Sequence, residues 1–415
     1  MKRGRHKTPP FVFSNKKFFY VMKIKLLFVL ICLHCFTCIM AQDIKITHGP
    51  YLCNMTPHEV NIIWTTNKPA LSWVELAPGN DQSFYATEHP RYYETVAGRR
   101  LSTSTFHCIK LKKLNPNTRY NYRIFSKEVR SWNGSGKILY GNTVASNVFK
   151  QKPLSFSTFP TNGIDSVSFV MFNDIHERHE MFEKLCKNTD FKKTNFVVFN
   201  GDMSSYLVDE AQLFRGYLDV AVKKFAKETP ILFAKGNHEN RGVYADNLCR
   251  YYPTSNNHFY QFYKYGDVCL IVLDCGEDKP DSDIEYAGLA DYDRYREEEA
   301  HWLQQILKTK EFIQSRVRIV ISHIPFIIGD WHGNQHLRKL FLPLLNSAKI
   351  DLMLSGHTHT YSFHSSNDHC SFPTVINDDE TFLSCEVSPE NIKVRIINQD
   401  NKLVAEHFIK IKSKP

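Results

Sequence analysis

Short, strongly apolar runs end abruptly in metal-competent polar residues five times along the chain. Residues 167–172 run into Asn173, Asp174, Ile175 and His176, and residues 196–199 into Asn200, Gly201 and Asp202. Residues 231–234 run into Lys235, Gly236, Asn237, His238 and Glu239, and residues 317–321 into Ser322 and His323. Residues 350–354 lead to Ser355, Gly356, His357, Thr358 and His359. Apolar, β-branched runs of roughly four to eight residues bounded by turn signals read as buried strands. In open α/β sheets ligands bind just beyond the carboxyl ends of the strands. The pattern therefore predicts a sheet edge at which Asp, Asn and His side chains gather.

The rest of the chain divides around these runs. Residues 43–158 read as all-β, with alternating, aromatic and β-branched stretches at 60–64 and 72–76. Leu114, Pro116 and Tyr120 suggest the turn before a tyrosine corner, in which the hydroxyl bonds back to the upstream backbone of a β-sandwich. An ordinary turn before a strand is the competing reading. Residues 159–165 form a turn-rich junction. Beyond it strands alternate with helix-like stretches at 210–227, 297–307 and 337–345, which predicts an α/β domain, and residues 372–412 return to short strands.

Charge adds little to the body of the chain. The net charge is +9, with 52 basic and 43 acidic residues. Eight of the basic residues and no acid lie within residues 1–41, so 44 basic face 43 acidic residues from Gln42 onward. The body thus makes no electrostatic case for nucleic-acid binding. Residues 1–41 read as a leader with a secretory signal: Lys23 and Lys25 precede the apolar stretch 26–40, Met22 is the expected start, and cleavage is expected near Ala41. The apolar stretch is shorter than the ~20 residues a membrane span needs. Export to the periplasm or the exterior, with no membrane span in the mature chain, is expected; an uncleaved anchor is the alternative. Eight cysteines follow the leader without a Cys-x-x-Cys pair, which argues against a zinc knuckle; most read as buried small hydrophobes.

The strand ends carry chemistry by spacing. Asp174 and His176 lie two residues apart, as do His357 and His359, so in extended chain each pair leaves on one face. Seven oxygen and nitrogen donors (Asp174, His176, Asp202, Asn237, His323, His357 and His359) exceed what one ion requires and fit two ions sharing a carboxylate. Donors of this kind without thiolate suit Fe, Mn, Zn or harder cations. Two ions about 3.5–4 Å apart would lower the pKa of a bridging water.

In this order, Asp-x-His, Gly-Asp, Gly-Asn-His-Glu, a later His and Gly-His-x-His resemble the calcineurin-like metallophosphoesterase superfamily over residues 166–363. Gly49-Pro50-Tyr51, Trp64-Thr65-Thr66 and residues 120–123 are similar to the fibronectin-type-III-like N-terminal domain of purple acid phosphatases. The resemblance implies a four-layer α-β-β-α sandwich over residues 166–415, preceded by an immunoglobulin/fibronectin-like β-sandwich at 42–158. It also implies Asp174, His176 and His359 on one ion, Asn237, His323 and His357 on the other, and Asp202 between them. The chain departs from the purple enzymes, whose Gly-Asp-x-x-Tyr places a Tyr on ferric iron. Here Tyr206 comes one place late and His176 stands where those enzymes have Gly. A tyrosinate–iron centre is therefore not expected, and two divalent or trivalent ions of Fe, Mn or Zn type are. The Gly-Asp-x-x-Asp-Arg of protein phosphatases is absent.

These features predict an exported hydrolase of small phosphorylated substrates, acting through a metal-bridging hydroxide with His238 as general acid. A role for His238 in only hydrogen-bonding the phosphate stays open. Arg178 and Arg241 are candidates for holding phosphate oxygens, with structural ion pairs equally expected. Asp274 reads as a structural turn residue, His332 as a loop residue or one lining the mouth of the site, and 276–296 as a loop or a lid. Two alternatives remain: a phosphodiesterase or nucleotidase, and a non-catalytic binding or adhesion protein with an inert metal site. Oligomeric state has no signature in the sequence.

Overall fold

The computed structural model describes Met1 and residues 43–412 apart from 135, 164–165 and 255–256, so the expected leader lies outside the described residues. The chain divides into a first unit, Met1–Ile44, and a second, Lys45–Pro415.

Two sheets face each other in the second unit. One has nine strands in the order Leu403–Lys410, Asn391–Asn398, Thr381–Val387, Val167–Phe172, Phe196–Asn200, Ile231–Ala234, Ile46–Cys53, Val60–Thr66 and Phe106–Leu111. The other has six, ordered Gln261–Tyr265, Val268–Leu273, Val317–Ser322, Leu352–Ser355, Thr374–Ile376 and Ser362–His364. Their inner faces meet through Phe169, Val198 and Leu232 on one side and Leu270, Ile319 and Leu354 on the other, all buried. Alternate residues of the same strands point outward and are also buried. Val170, Val197 and Phe233 pack under Phe182, Phe214 and Phe225, while Ile271, Val320 and Met353 pack under Leu303, Leu337 and Phe341. Burial on both faces is why these strands read as continuous rather than alternating apolar runs. The result is the expected four-layer α-β-β-α sandwich.

The three stretches predicted from apolar spacing are helical, and a further helix, His179–Lys187, lies where none was predicted. Helical turns occupy Glu210–Leu213 and continue to Ala226, the second helix spans Tyr292–Ile306, and the third spans His332–Ser347. The last begins five residues before the predicted stretch because its first turn is polar and carries no apolar period.

The N-terminal strands are not a separate body from the main sheet. Ile46–Cys53 runs parallel to Ile231–Ala234, with Cys53 opposite Ile231 and Asn54 N–H donating to Ile231 O at 3.0 Å. This covers an edge that would otherwise leave backbone groups unpaired. A further sheet of Leu154–Ser157, Arg119–Trp132, Ala70–Pro78, Arg91–Tyr93 and Ile138–Ala145 completes the sandwich. Trp64 Nε1–H crosses to Ser126 Oγ at 2.9 Å. Asn115 N–H donates to the Tyr120 hydroxyl at 2.9 Å, the bond back to the upstream chain that the Leu114-x-Pro116 turn suggested.

The sheet topology places the site. Val167–Phe172, Phe196–Asn200 and Ile231–Ala234 pair parallel to one another, as do Val268–Leu273, Val317–Ser322 and Leu352–Ser355. Parallel pairing brings their carboxyl ends to the same edge of each sheet. Among the described residues no helix is long and apolar enough to cross a membrane.

Candidate metal centre

Each strand breaks sharply where its apolar run ends. Asp174, His176, Glu177, Asp202, His357 and His359 all take left-handed backbone conformations, with φ between 48° and 73°. Non-glycine residues in this region are strained and concentrate where surrounding structure holds a functional geometry. Gly236 allows the closest approach: a Cβ there would stand 2.2 Å from Asp202 Oδ1 and 2.4 Å from its backbone nitrogen.

These turns bring all seven expected donors together. Asp202 Oδ2 lies 3.1 Å from His323 Nε2 and 4.0 Å from His176 Nε2. Asp174 Oδ1 lies 3.2 Å from His359 Nε2, 3.9 Å from His323 Nε2 and 4.0 Å from His176 Nε2. His176 Nε2 and His359 Nε2 are 3.4 Å apart, and His357 Nδ1 faces Asn237 Oδ1 at 3.1 Å. The donors of Asp174, His176 and His359 lie within 4.8 Å of one another, as do those of Asp202, His323 and His357. Asp174 Oδ1 and His323 Nε2 are buried and have no hydrogen-bond partner. Buried polar atoms are nearly always satisfied. Two unpaired atoms aimed at one cluster of oxygen and imidazole donors fit a metal site.

The charges inside the cluster hold one another. Burial pushes the Asp174 and Asp202 carboxyls up, but His323 together with His359 and Asn173 at Asp174, and with His238 at Asp202, outweighs it, and both lie below the usual range. Burial disfavours the His323 imidazolium, yet Asp202 and Asp174 push its pKa up to about 10. His323 Nδ1–H donates to Asn200 O at 2.7 Å, which leaves Nε2 directed at the carboxylates.

A buried glutamate anchors the loops. Glu239 accepts backbone N–H bonds from Asp202 (2.8 Å), Met203 (2.8 Å), Ser204 (3.2 Å) and Gly236 (2.9 Å). Burial, with Asp202 nearby, pushes its carboxyl up to about 7. Asp174 Oδ2 is fixed by His357 N–H at 2.8 Å and Asn173 Nδ2–H at 2.7 Å.

His238 stands beside the donors. Its backbone N–H donates to Asp202 Oδ1 at 2.9 Å, its Nδ1 lies 3.0 Å from Ser205 O, and its Nε2 is 3.8 Å from Asp202 Oδ2. Arg241 Nη1 lies 3.1 Å from that Nε2, while Arg241 Nε and Nη2 grip Glu277 with two 2.9 Å bonds. Arg178 is committed elsewhere, to Asp174 O at 2.6 Å and Asp379 Oδ2 at 2.9 Å. Tyr206 is more than half exposed, and Ser205 Oγ is the hydroxyl that meets His176 Nδ1, at 3.1 Å.

Other expectations resolve simply. Asp274 is buried against Lys235 Nζ at 3.1 Å and the Tyr295 hydroxyl at 2.9 Å, a structural role. His332 opens a helix and bonds Asp293 at 2.8 Å. The loop beginning at Gly276 is pinned through Glu277 rather than free. Sequence reading missed Asp278, whose carboxylate reaches Asn237 and His357, and it gave Glu239 no role although the residue closes the Gly-Asn-His-Glu motif. Only the acidity of 274–278 could have drawn attention to Asp278.

Residues 167–361 match the family model described as calcineurin-like phosphoesterase, and residues 51–138 match that of the purple acid phosphatase N-terminal domain. Purple acid phosphatase 21 of Arabidopsis thaliana is 24% identical over 298 residues, which are 66% of this chain and 58% of the relative, so less than two thirds of that protein is spanned. The structure of purple acid phosphatase PPD1 from yellow lupin (Lupinus luteus) aligns over 87% of this chain and 74% of its own, with a TM-score of 0.62 and 14% identity. At that identity the likeness is one of fold.

Proposed function

We propose that this chain, which matches the calcineurin-like phosphoesterase model over residues 167–361 and the purple acid phosphatase N-terminal domain model over residues 51–138, hydrolyses phosphate esters at a dinuclear metal site. One observation carries this reading: seven donors from five strand ends converge, and two of their buried atoms lack any hydrogen bond. Asp174, His176 and His359 would hold one ion, and Asn237, His323 and His357 the other. Asp202, which faces both groups, would stand between them. Ions bound there would supply Lewis acidity and a water-derived nucleophile near neutral pH. Oxygen and imidazole donors suit Fe, Mn or Zn.

The chain's own groups supply the rest. With Nδ1–H donating to Ser205 O, Nε2 is the ring atom that would deliver a proton to the leaving-group oxygen once Arg241 is drawn off it. Arg241 Nη1 occupies the edge of that nitrogen. An anionic phosphate oxygen is a stronger acceptor for the guanidinium than neutral imidazole, so substrate would draw Arg241 away and free Nε2. The Glu277 clamp keeps Arg241 within reach while it shifts. We assign residues 42–158 to a supporting β-sandwich and 166–415 to the catalytic domain. Export follows from the signal-like composition of residues 22–41.

The test measures bound metal on the purified chain and compares hydrolysis of an aryl phosphate monoester with that of the corresponding diester, in the native protein, His238→Ala and Asp202→Asn. Unchanged rates in both variants would overturn the assignment. Full metal loading without hydrolysis would favour a binding protein, and preference for the diester a phosphodiesterase.

A further inference from the structure

Asp278 lies five residues past the strand Val268–Leu273 and in none of the five strand-end motifs. Its Oδ2 accepts from Asn237 Nδ2–H at 3.3 Å, and its Oδ1 stands 3.3 Å from His357 Nε2. The other polar atoms of those two side chains, Asn237 Oδ1 and His357 Nδ1, face each other at 3.1 Å.

An ionised carboxylate only accepts hydrogen bonds. Facing Asp278, Asn237 must present its NH2 group and His357 must carry its proton on Nε2. In the neutral ring the atoms turned the other way are then a carbonyl oxygen and an imidazole nitrogen, both with lone pairs. Two such acceptors 3.1 Å apart need either a proton on Nδ1 or a cation between them, and a bound ion takes the place of that proton. We infer that Asp278 is the positioning residue of the second ion: one carboxylate sets the amide orientation of Asn237 and the tautomer of His357, so that both ligand atoms converge.

The backbone around Asp278 is held for such a role. Arg241 clamps the neighbouring Glu277 side chain through two 2.9 Å bonds, and the fully buried Arg296 donates to Glu277 O. Gly333 N–H donates to Asp278 O at 2.6 Å. A Cβ at Gly333 would stand 2.5 Å from Glu277 O, so a larger residue would displace this loop. Asp278 Oδ1 is buried and has no hydrogen-bond partner, and the ring nitrogen it faces is His357 Nε2, at 3.3 Å. Carboxylates that bond the far N–H of a metal-ligating histidine fix its ring and raise its basicity, and their loss weakens metal binding about 10–100-fold.

The inference rests on the ligand set proposed above, and the test separates the two. The metal-free full chain is titrated with Zn(II) alone, in native form and as Asp278→Asn, by calorimetry with chelator competition. An amide at 278 still accepts from one neighbour but turns its own NH2 toward the other. Native protein is expected to take up two ions, and the variant to bind its first ion as before and its second about 10–100-fold more weakly. Zinc-loaded native protein is also expected to show an exchange-protected His357 Nε2–H resonance in nitrogen-edited proton spectra, lost in the variant. Two ions bound alike by both proteins, or both ions weakened equally in the variant, would overturn the positioning role while leaving the ligand set intact. No uptake by native protein would overturn the ligand set as well. Should the variant not fold, absence of the Nε2–H resonance from native protein decides against Asp278.

Discussion

His323 has no exposed side-chain surface, whereas the His359 side chain is 47% exposed, although both ring nitrogens reach the same carboxylate of Asp174. The two proposed groups of ligands, the halves of the candidate centre, differ in bracing rather than in exposure throughout, since the His357 side chain is 21% exposed and that of His176 15%. Asn237, His323 and His357 are braced from behind by Asp278 and Asn200 O. On the other side, His176 rests on Ser205 Oγ at 3.1 Å, and His359 Nδ1 is 3.7 Å from Asp379. One group has a carboxylate and a backbone carbonyl behind its ligands, and the other has a serine hydroxyl and a more distant carboxylate, with His359 the most exposed donor. A braced set favours one ion geometry, and a less braced set tolerates replacement of its ion. The difference lies in what stands behind the ligands, since the donor count is three on each side of Asp202.

Substitutions that ignore the division should have the largest effects. Asp202→Asn removes the charge that faces both halves and is expected to lower phosphate-ester hydrolysis by a factor on the order of 10³ or more, with loss of metal from both. Retention of two ions and of most activity would show that the halves do not depend on Asp202. Glu239→Ala would free four buried backbone N–H groups under both halves. It should cost on the order of 4 kcal/mol in denaturant unfolding of the metal-free protein.

A second buried histidine shows what the carboxylates contribute. His107, enclosed in the N-terminal strands beside Thr66 Oγ1 at 2.8 Å, is shifted by burial alone, which lowers its pKa to about 4. His323, equally enclosed, is pushed up to about 10 by its carboxylate neighbours. Because the folded pKa of His107 lies below the unfolded value near 6.5, the unfolded chain binds more protons between those limits. Its contribution is fully present above about pH 6.5 and is lost as pH falls toward 4, for about 3 kcal/mol in all. His107→Asn should flatten that part of the stability–pH curve; an unchanged slope would place the titration elsewhere. The smallest expected effect is kinetic. With a chelator in excess, metal should leave in two phases, the ion of His176 and His359 on the order of tenfold faster. Assigning the slow phase to that half through His359→Ala would reverse the comparison.

The seven donors and His238 were legible as candidates in the sequence because each lies just past a strand buried on both faces. Parallel pairing then carries those ends to one edge without further information. The bracing was not legible. Asp278 ends no apolar run, and its approach to Asn237 and His357 depends on a loop pinned by Arg241, Arg296 and Gly333 from three distant segments. Glu239 was visible as a motif residue, but its four N–H partners come from two different loops that only folding brings together. Likewise, Tyr51, Leu52 and Cys53 are buried in a strand that the sequence pattern did not single out. Nothing in their pattern announces that the strand extends the main sheet alongside Ile231.

Anomalous diffraction from crystals loaded with Zn(II) would locate both halves of the centre in one experiment. Two peaks are expected, one among Asp174, His176, His359 and Asp202 and one among Asp202, Asn237, His323 and His357. A single peak, or zinc bound elsewhere while these seven side chains keep their present positions, would contradict the dinuclear assignment.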